Sequence, residues 1–310
     1  MRKKIICLLL AFLLLACTAW AEEETQVEEI PEEQPLVSNP LPIDFTGGFA
    51  PLAEGYQGEN VYQDPTIRVS IEYKDATSYI HGYKSRDAGY WVVDIRIGDA
   101  SQLRTAPAES FETETSMNIG VIADRVNAVV AFNGDYVTRL NEGLIIRQGV
   151  TYRDKLKGNR DVLLIDEDGD FHPYHLPKKG DIGETVDGKQ IINAFYFGPI
   201  LVENGEVIKK LPDFKYLRPE RNFARLAICQ VDHLHYKMIL TTMEQDYTLG
   251  LQLKDFAQLC MDEGAQIAYN LDGGLSTSLY FNHARLNGQK KVNFRDIPDI
   301  IYFASAASGE

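Results

Sequence analysis

From Ile67 to Ala304 the chain repeatedly sets short apolar or alternating runs against turns rich in Asp, Asn and Gly, a pattern that only paired strands satisfy. Ile67, Val69 and Ile71 alternate with polar residues, and Tyr90 to Ile97 reads YWVVDIRI. Val162 to Ile165 runs into Asp166-Glu167-Asp168-Gly169-Asp170, and Leu201 to Ile208 holds Asn204-Gly205 between two short strands. Asn-Gly accepts the positive φ of a tight hairpin, so these neighbours pair antiparallel. Ala224 to Val231 and Tyr236 to Thr242 read as two further strands. Helical spacing is confined to Met117–Val126, with Ile119, Ile122, Ala123 and Val126 on one face, and Leu251–Glu263, with Leu253, Phe256, Ala257 and Cys260 on one face and Gly264 as cap. The pattern predicts an α+β fold, a single sheet-rich domain with mainly antiparallel strands and a few packed helices.

The ends of the chain carry a different message. Arg2-Lys3-Lys4 precedes an apolar run of 12 residues, Ile5 to Ala16, and Ala19-Trp20-Ala21 supplies a small-x-small cleavage site. Residues 1–21 therefore read as a signal peptide, which predicts a secreted or cell-envelope-associated protein with no transmembrane helix in the mature chain. Leu14-Leu15-Ala16-Cys17 also fits a lipoprotein box with Cys17 acylated. Residues 22–60 form an acidic, Glu- and Pro-rich spacer and irregular lead-in, with seven Glu and no Lys or Arg over 22–35. Residues 61–310 form the domain, with regular order expected by Thr66. A formal charge of −14 excludes backbone-driven binding of nucleic acid, which needs clustered Lys and Arg. Cys229 and Cys260, the two cysteines of the body, fit one disulfide or two buried thiols equally well.

One design occurs twice. Asn127 to Asp135 (NAVVAFNGD) and Gln266 to Gly274 (QIAYNLDGG) each follow a helix, run as a buried strand and stop in a turn of Asn, Asp and Gly. A strand buried on both faces is rigid, so a polar side chain at its end is held where the chain emerges, and strand ends are where ligands collect. Glycine removes the Cβ and exposes backbone amides to an anion. Asp272 beside such amides, followed by the hydroxyls of Ser276 and Thr277, suits a sugar or phosphate ester. Two tight turns with Asx capping would read the same way.

The segment Asn270-Leu271-Asp272-Gly273-Gly274-x-Ser276-Thr277, preceded by Gly250-Leu251-Gln252-Leu253 and a helix ending at Gly264-Ala265, resembles the signature of the phosphodiester glycosidase family. Ala131-Phe132-Asn133-Gly134-Asp135-Tyr136, Phe197 to Gly205 and Ala224-Arg225-Leu226-Ala227-Ile228 resemble three more of its segments, in order, within a match from about Tyr62 to Ala304. Ala224, Leu226 and Cys229 stand where Pro, Thr and Gly are usual, and Leu275 where a third Gly is frequent.

The resemblance implies hydrolysis of a sugar 1-phosphodiester to a free sugar and a phosphomonoester, with a sugar-phosphate-containing glycan of the cell surface or exterior as substrate. Such a bond breaks at the anomeric carbon, and phosphate leaves as a weak base, so a strong general acid is less necessary than in glycoside hydrolysis. The roles carried over are a phosphate clamp for Arg225, nucleophile or general base for Asp272, and a second carboxylate for Asp135. Asn133, Gly134, Asn270, Ser276 and Thr277 would position substrate, and the Gly273-Gly274 amides would share the phosphate charge. Whether Asp135 or Asp272 is the acid stays open, with Glu244 as a third carboxylate. A non-catalytic glycan-binding module or an envelope assembly protein using the same cleft is the alternative.

No cofactor is expected, although a structural divalent cation is compatible with an acidic extracellular protein. His172 with His175, and His233 with His235, lack a third ligand at metal spacing. Asp166 to Asp170 lacks the length and glycine position of a calcium loop and reads as a hairpin turn. Arg104 and Arg139 are candidates for extra positive potential at the cleft.

Overall fold

The structure is a computed structural model that describes residues 34–80, 83–136, 140–212, 214, 216–241, 250–287 and 294–308, with backbone alone at 76–80 and 83–88. The leader 1–21 with Cys17, the spacer up to residue 33, Arg139 and Glu244 lie outside the described residues. Of a first unit, Met1–Pro35, only Gln34 and Pro35 are described, both exposed and without regular structure. Leu36–Glu310 is the second unit.

The strands that matter to the site are β1 (Ile67–Ile80), β2 (Tyr83–Ile97), β3 (Leu103–Pro107), β4 (Ala128–Asn133), β5 (Gly143–Arg147), β6 (Val162–Asp166), β7 (Lys189–Phe195), β8 (Ile200–Glu203), β9 (Leu226–Asp232), β10 (His235–Thr241), β11 (Ile267–Asn270), β12 (Leu279–Phe281) and β13 (Asp299–Ala304). The helices are α1 (Ile119–Arg125) and α2 (Leu253–Asp262). A nine-stranded sheet has the order Tyr56–Gln57, Val61–Gln63, β1, β2, β10, β9, β11, β8, Glu206–Val207. A second sheet runs Phe171–Tyr174, β6, β7, β5, Val150–Lys155, and a third runs Ala284–Arg285, β12, β4, β13, β3. The pairings among these strands are antiparallel, as the hairpin turns predict. Asn204 and Gly205 take φ of 53° and 72°, the left-handed pair that a two-residue hairpin requires.

The expected helices are present but short, seven and ten residues, so sheet far outweighs helix among the described residues. Asn118 caps α1 by accepting the Gly120 N–H at 3.0 Å. Leu253, Phe256, Ala257 and Cys260 bury one face of α2, and Gly264 turns the chain away at φ 92°. A common apolar core draws Val93 and Ile95 from the first sheet, Leu163 and Phe195 from the second and Val130, Phe132 and Phe303 from the third. Packing begins well before Thr66. Arg104, fully buried, donates to the carbonyls of Pro42 and Asp44 at 2.9 Å each, and Asn127 and Phe49 tie the next stretch to Gly48 and Ser305. Its burial with the lead-in takes Arg104 out of consideration for the cleft.

Candidate active site

The two Asn/Asp/Gly turns meet. β11 belongs to the nine-stranded sheet and β12 to the third sheet, so residues 271–278 are the segment on which the chain changes sheets. Such a crossing leaves the ladder of one sheet before entering the other, and its backbone is satisfied by neighbours instead. Leu271 donates to the Leu226 carbonyl at 2.8 Å, and Gly274 to that of Ala224 at 2.8 Å. At the end of β4, Asn133 donates to the Asp272 carbonyl at 2.8 Å and accepts the Ser278 N–H at 3.0 Å. Asn133 is buried, and its amide joins turns 139 positions apart.

Above this junction lies a cleft of about 350 Å³. Asp272, Gly273, Gly274 and Leu275 form one wall, Tyr136 and Phe197 another, and 216–218 with 223–225 a third. Among the described residues lining it, Asp272 is the one carboxylate, and Arg218, Arg225 and Arg295 are lining residues too. The Asp272 carboxyl is pushed up to about 6 by removal from water, against the lowering effect of the Ser276 hydroxyl and the Arg295 charge. A carboxylate there can exchange a proton near neutrality.

The remaining expected residues divide into those at the cleft and those behind it. Arg225 lines the cleft, but its guanidinium is spent on backbone, donating to Leu217, Arg218, Arg221 and Leu251 carbonyls at 2.8, 2.9, 3.0 and 3.3 Å. Burial pulls its pKa down to about 10. Arg225 thus holds the 217–221 wall in shape, and the phosphate clamp expected of it has few donors left. The amides of Gly273 and Gly274 are also engaged, with Asp272 Oδ1 at 3.0 Å and the Ala224 carbonyl at 2.8 Å. Both glycines have steric reasons to be there. A Cβ on Gly273 would stand 2.5 Å from the Ala224 carbonyl oxygen, whereas Gly274 has φ 63° and open space. Gly273→Ala is expected to cost about 1–3 kcal/mol and most of the activity. Gly274→Ala should cost about 1 kcal/mol, the left-handed penalty, and act mainly on KM. Urea midpoints and steady-state kinetics check both.

Ser276 and Thr277 are buried, Ser276 against the Asp272 carboxylate and Thr277 with its carbonyl held by Asn287 at 2.8 Å. Asn270 is buried one layer down, donating to the Gly198 carbonyl at 2.8 Å. Asp135 is the clearest departure. It is fully buried behind the cleft, 2.7 Å from Arg147 Nη2, and accepts the Tyr196 N–H at 2.7 Å. Burial raises its pKa, with Arg147 opposing. Gly134 packs on Asp299, whose carboxylate a Cβ would meet at 2.3 Å. Neither Asp135 nor Gly134 reaches the cleft.

Arg295, Arg218 and Tyr216 are cleft residues for which the sequence offered no local signal of a role, and Tyr136 entered only as the last residue of the family-like segment Ala131–Tyr136. Arg295 donates its backbone N–H to the Leu275 carbonyl at 3.0 Å, its guanidinium carbon lies 6.0 Å from the Tyr136 ring centroid, and the Tyr136 and Tyr216 rings meet tilted at 55° with centroids 6.2 Å apart. Both arginines are exposed. The four histidines weighed as metal ligands each meet a carboxylate: His172 with Asp166 at 2.9 Å, His175 with Glu203 at 3.0 Å, His233 with Asp170 at 3.2 Å and His235 with Asp94 at 3.0 Å. At the 166–170 turn the Lys189 ammonium lies 2.9 Å from Asp168 and 3.4 Å from Asp166. Among the described residues no group of three or more His, Cys, Asp or Glu side chains is placed to hold a metal. Cys229 and Cys260 are buried free thiols.

The family model for phosphodiester glycosidases matches residues 126–304, more than half of the chain and inclusive of every wall of the cleft. The chain belongs to the phosphodiester glycosidase family. Among solved structures, this glycosidase-family chain is similar to the catalytic domain of zebrafish N-acetylglucosamine-1-phosphodiester alpha-N-acetylglucosaminidase, auto-inhibited by its pro-peptide. The TM-score is 0.63 at 18% identity, over 83% of this chain and 87% of that one. A hypothetical protein from Synechocystis has a TM-score of 0.50 at 17% identity, over 79% of this chain and 64% of that one. At these identities the likeness is one of fold. A comparison with curated proteins gives no match.

Proposed function

We propose that this member of the phosphodiester glycosidase family is an exported hydrolase that cleaves glycosyl-1-phosphodiester bonds in cell-surface or extracellular glycans. Export rests on the N-terminal leader pattern. The reaction rests on one observation: the described lining of the cleft carries a single carboxylate, Asp272, together with the exposed Arg218 and Arg295. An ordinary glycoside needs a second carboxyl group to protonate its departing oxygen, whereas phosphate leaves as a weak base and needs a cation instead. Arg218 and Arg295 are suited to that task, because among the described residues no hydrogen bond commits their guanidiniums to the wall as four commit that of Arg225. Tyr136 and Tyr216, whose tilted rings both line the cleft, offer apolar surface to the sugar ring. Asp272 then serves the anomeric carbon, either by attacking it or by taking a proton from the attacking water. The C1–O bond breaks with its electron pair moving to the phosphomonoester.

Purified protein is expected to release sugar from a glycosyl-1-phosphodiester in preference to the matching nitrophenyl glycoside. Arg218→Ala and Arg295→Ala should each raise KM for the phosphodiester about tenfold, as loss of a charge-assisted contact predicts, and leave binding of the neutral glycoside nearly unchanged. Activity should rise with pH through about 6 as Asp272 ionises. Absence of turnover on every such diester sinks the reading. Retained binding with no product, unaffected by Asp272→Asn, assigns the cleft to a glycan-binding module instead.

A further inference from the structure

Behind the floor of the cleft the chain buries two carboxylates against one guanidinium. Arg147 ends β5, Asp299 opens β13 and Asp135 lies two residues past β4, and all three side chains are fully buried. Arg147 Nη2 stands 2.7 Å from Asp135 Oδ1 but 3.4 Å from Asp299 Oδ2. Asp135 is well served, since its second oxygen accepts the Tyr196 N–H at 2.7 Å. Asp299 is not, for among the described residues Oδ2 has the 3.4 Å contact with Arg147 as its hydrogen bond and Oδ1 has no hydrogen-bond partner.

The charges around the cluster are unevenly shared. Arg147 faces both acids, Arg153 and Arg160 lie on the Asp135 side, and the Tyr269 hydroxyl also stands near Asp135. Asp135 and Asp299 each have two acidic neighbours, one another and Asp272, but Asp299 has Arg147 alone to offset them among the cations that act on it. An ionised carboxylate with one long contact, one bare oxygen and two like-charged neighbours is far costlier to bury than the neutral acid.

We infer that Asp299 holds a proton in the folded protein and acts as a neutral positioning residue, keeping Arg147 committed to Asp135 and leaving Asp272 as the anion of the cleft. Its mechanical link to the cleft is short. The Asp299 carboxyl fills the space of the missing Gly134 Cβ, and the Asp299 carbonyl accepts the Gly134 N–H at 3.0 Å. The preceding residue, Asn133, carries the bond to the Asp272 carbonyl. Its electrostatic link is the absence of a charge: an anion at Asp299, added to that of Asp135, would hold the Asp272 proton to higher pH. The protonation itself stands apart from the proposed reaction, whereas its effect on Asp272 rests on that reading.

Isotope-edited infrared spectra of aspartate-labelled protein, recorded at pH 7 in an Asp272→Asn background with and without Asp299→Asn, test the proton directly. A protonated-carboxyl band that disappears with Asp299→Asn is expected, and its absence from the parent spectrum overturns the inference. Hydrolysis tests the positioning. Asp299→Ala should lower kcat at least tenfold, and Asp299→Asn, the shape of the neutral acid, should restore it to within about twofold with the acid limb of the pH profile in place. An acid limb moved about one pH unit lower by Asp299→Asn, or an Asp299→Asn protein that does not fold, means that Asp299 is ionised and overturns it. If no diester is turned over by the parent protein, the proposed function fails while the infrared result still decides the proton.

Discussion

Asp272→Asn is expected to lower kcat at least about a hundredfold, the scale of a lost acid–base group, and at the same time to raise the thermal midpoint at pH 7. The second effect follows from the same burial that tunes the carboxyl. In an unfolded chain an Asp titrates near 4, whereas in the folded protein Asp272 titrates at about 6. Between those values the folded state keeps a proton that the unfolded chain has released. This group therefore favours folding at low pH, and that advantage is lost as pH rises through 6. Above 6 the fold carries an ionised, partly buried carboxylate, which Asn replaces with a neutral group of the same shape. Two pH units correspond to roughly 3 kcal/mol, and partial exposure to the cleft reduces the gain to about 1–2 kcal/mol. The midpoint should rise by a few degrees at pH 7–8, with the gain fading toward pH 4. Calorimetry over that range with parallel kinetics checks both effects. An inactive variant with a lowered midpoint at pH 7 would show that the Asp272 carboxylate holds the turn together and is not kept for chemistry.

Arg147→Met should produce the largest loss of stability, about 3–5 kcal/mol, because it strands buried acid groups that the guanidinium now serves. Arg147 also donates to the Ile146 and Ala194 carbonyls, and its guanidinium carbon lies 4.4 Å from the Phe195 ring centroid. Methionine keeps part of that apolar packing, so most of the loss is electrostatic. The defect must then depend on pH in a fixed direction. At low pH Asp135 and Asp299 are both protonated and need no cation, so the variant should approach the parent there. As pH rises, Asp135 can ionise only at great cost in the variant, and the gap should widen. Urea unfolding at pH 4 and pH 7 reads this directly, and Asp135→Asn in the Arg147→Met background should recover part of the loss at pH 7. A variant with the parent's urea midpoint at pH 7 would show that the pair contributes nothing net to the fold.

Much of this architecture was written locally. The Asn204-Gly205 hairpin, the apolar faces of α1 and α2 and the cap at Gly264 are set by neighbours within a few positions, and all appear where periodicity and turn chemistry place them. The meeting of the two Asn/Asp/Gly turns was legible for a related reason: each ends a buried strand, and buried strands have few places to emerge. The lead-in was harder to read. Residues 36–60 carry little periodicity, and the bonds that order them come from Arg104, Ser101 and Ala306, far along the chain.

The residue types at the site were thus legible while their duties were not. Two carboxylates and an arginine in turn-like segments look alike on paper, and local chemistry alone gives each of them a place at a ligand. Sequence by itself determined the antiparallel, sheet-rich class, the turn that bears Asp272 and the glycines that turn needs, because these depend on φ, on side-chain period and on steric room within a few residues. Tertiary structure alone decided that Asp135 faces inward to Arg147, twelve residues away on another sheet. It also decided that Arg225 is spent on four carbonyls while Arg218 and Arg295 reach the cleft. Charge and hydrogen-bonding capacity are properties of a side chain, but what consumes them is whatever the fold brings alongside.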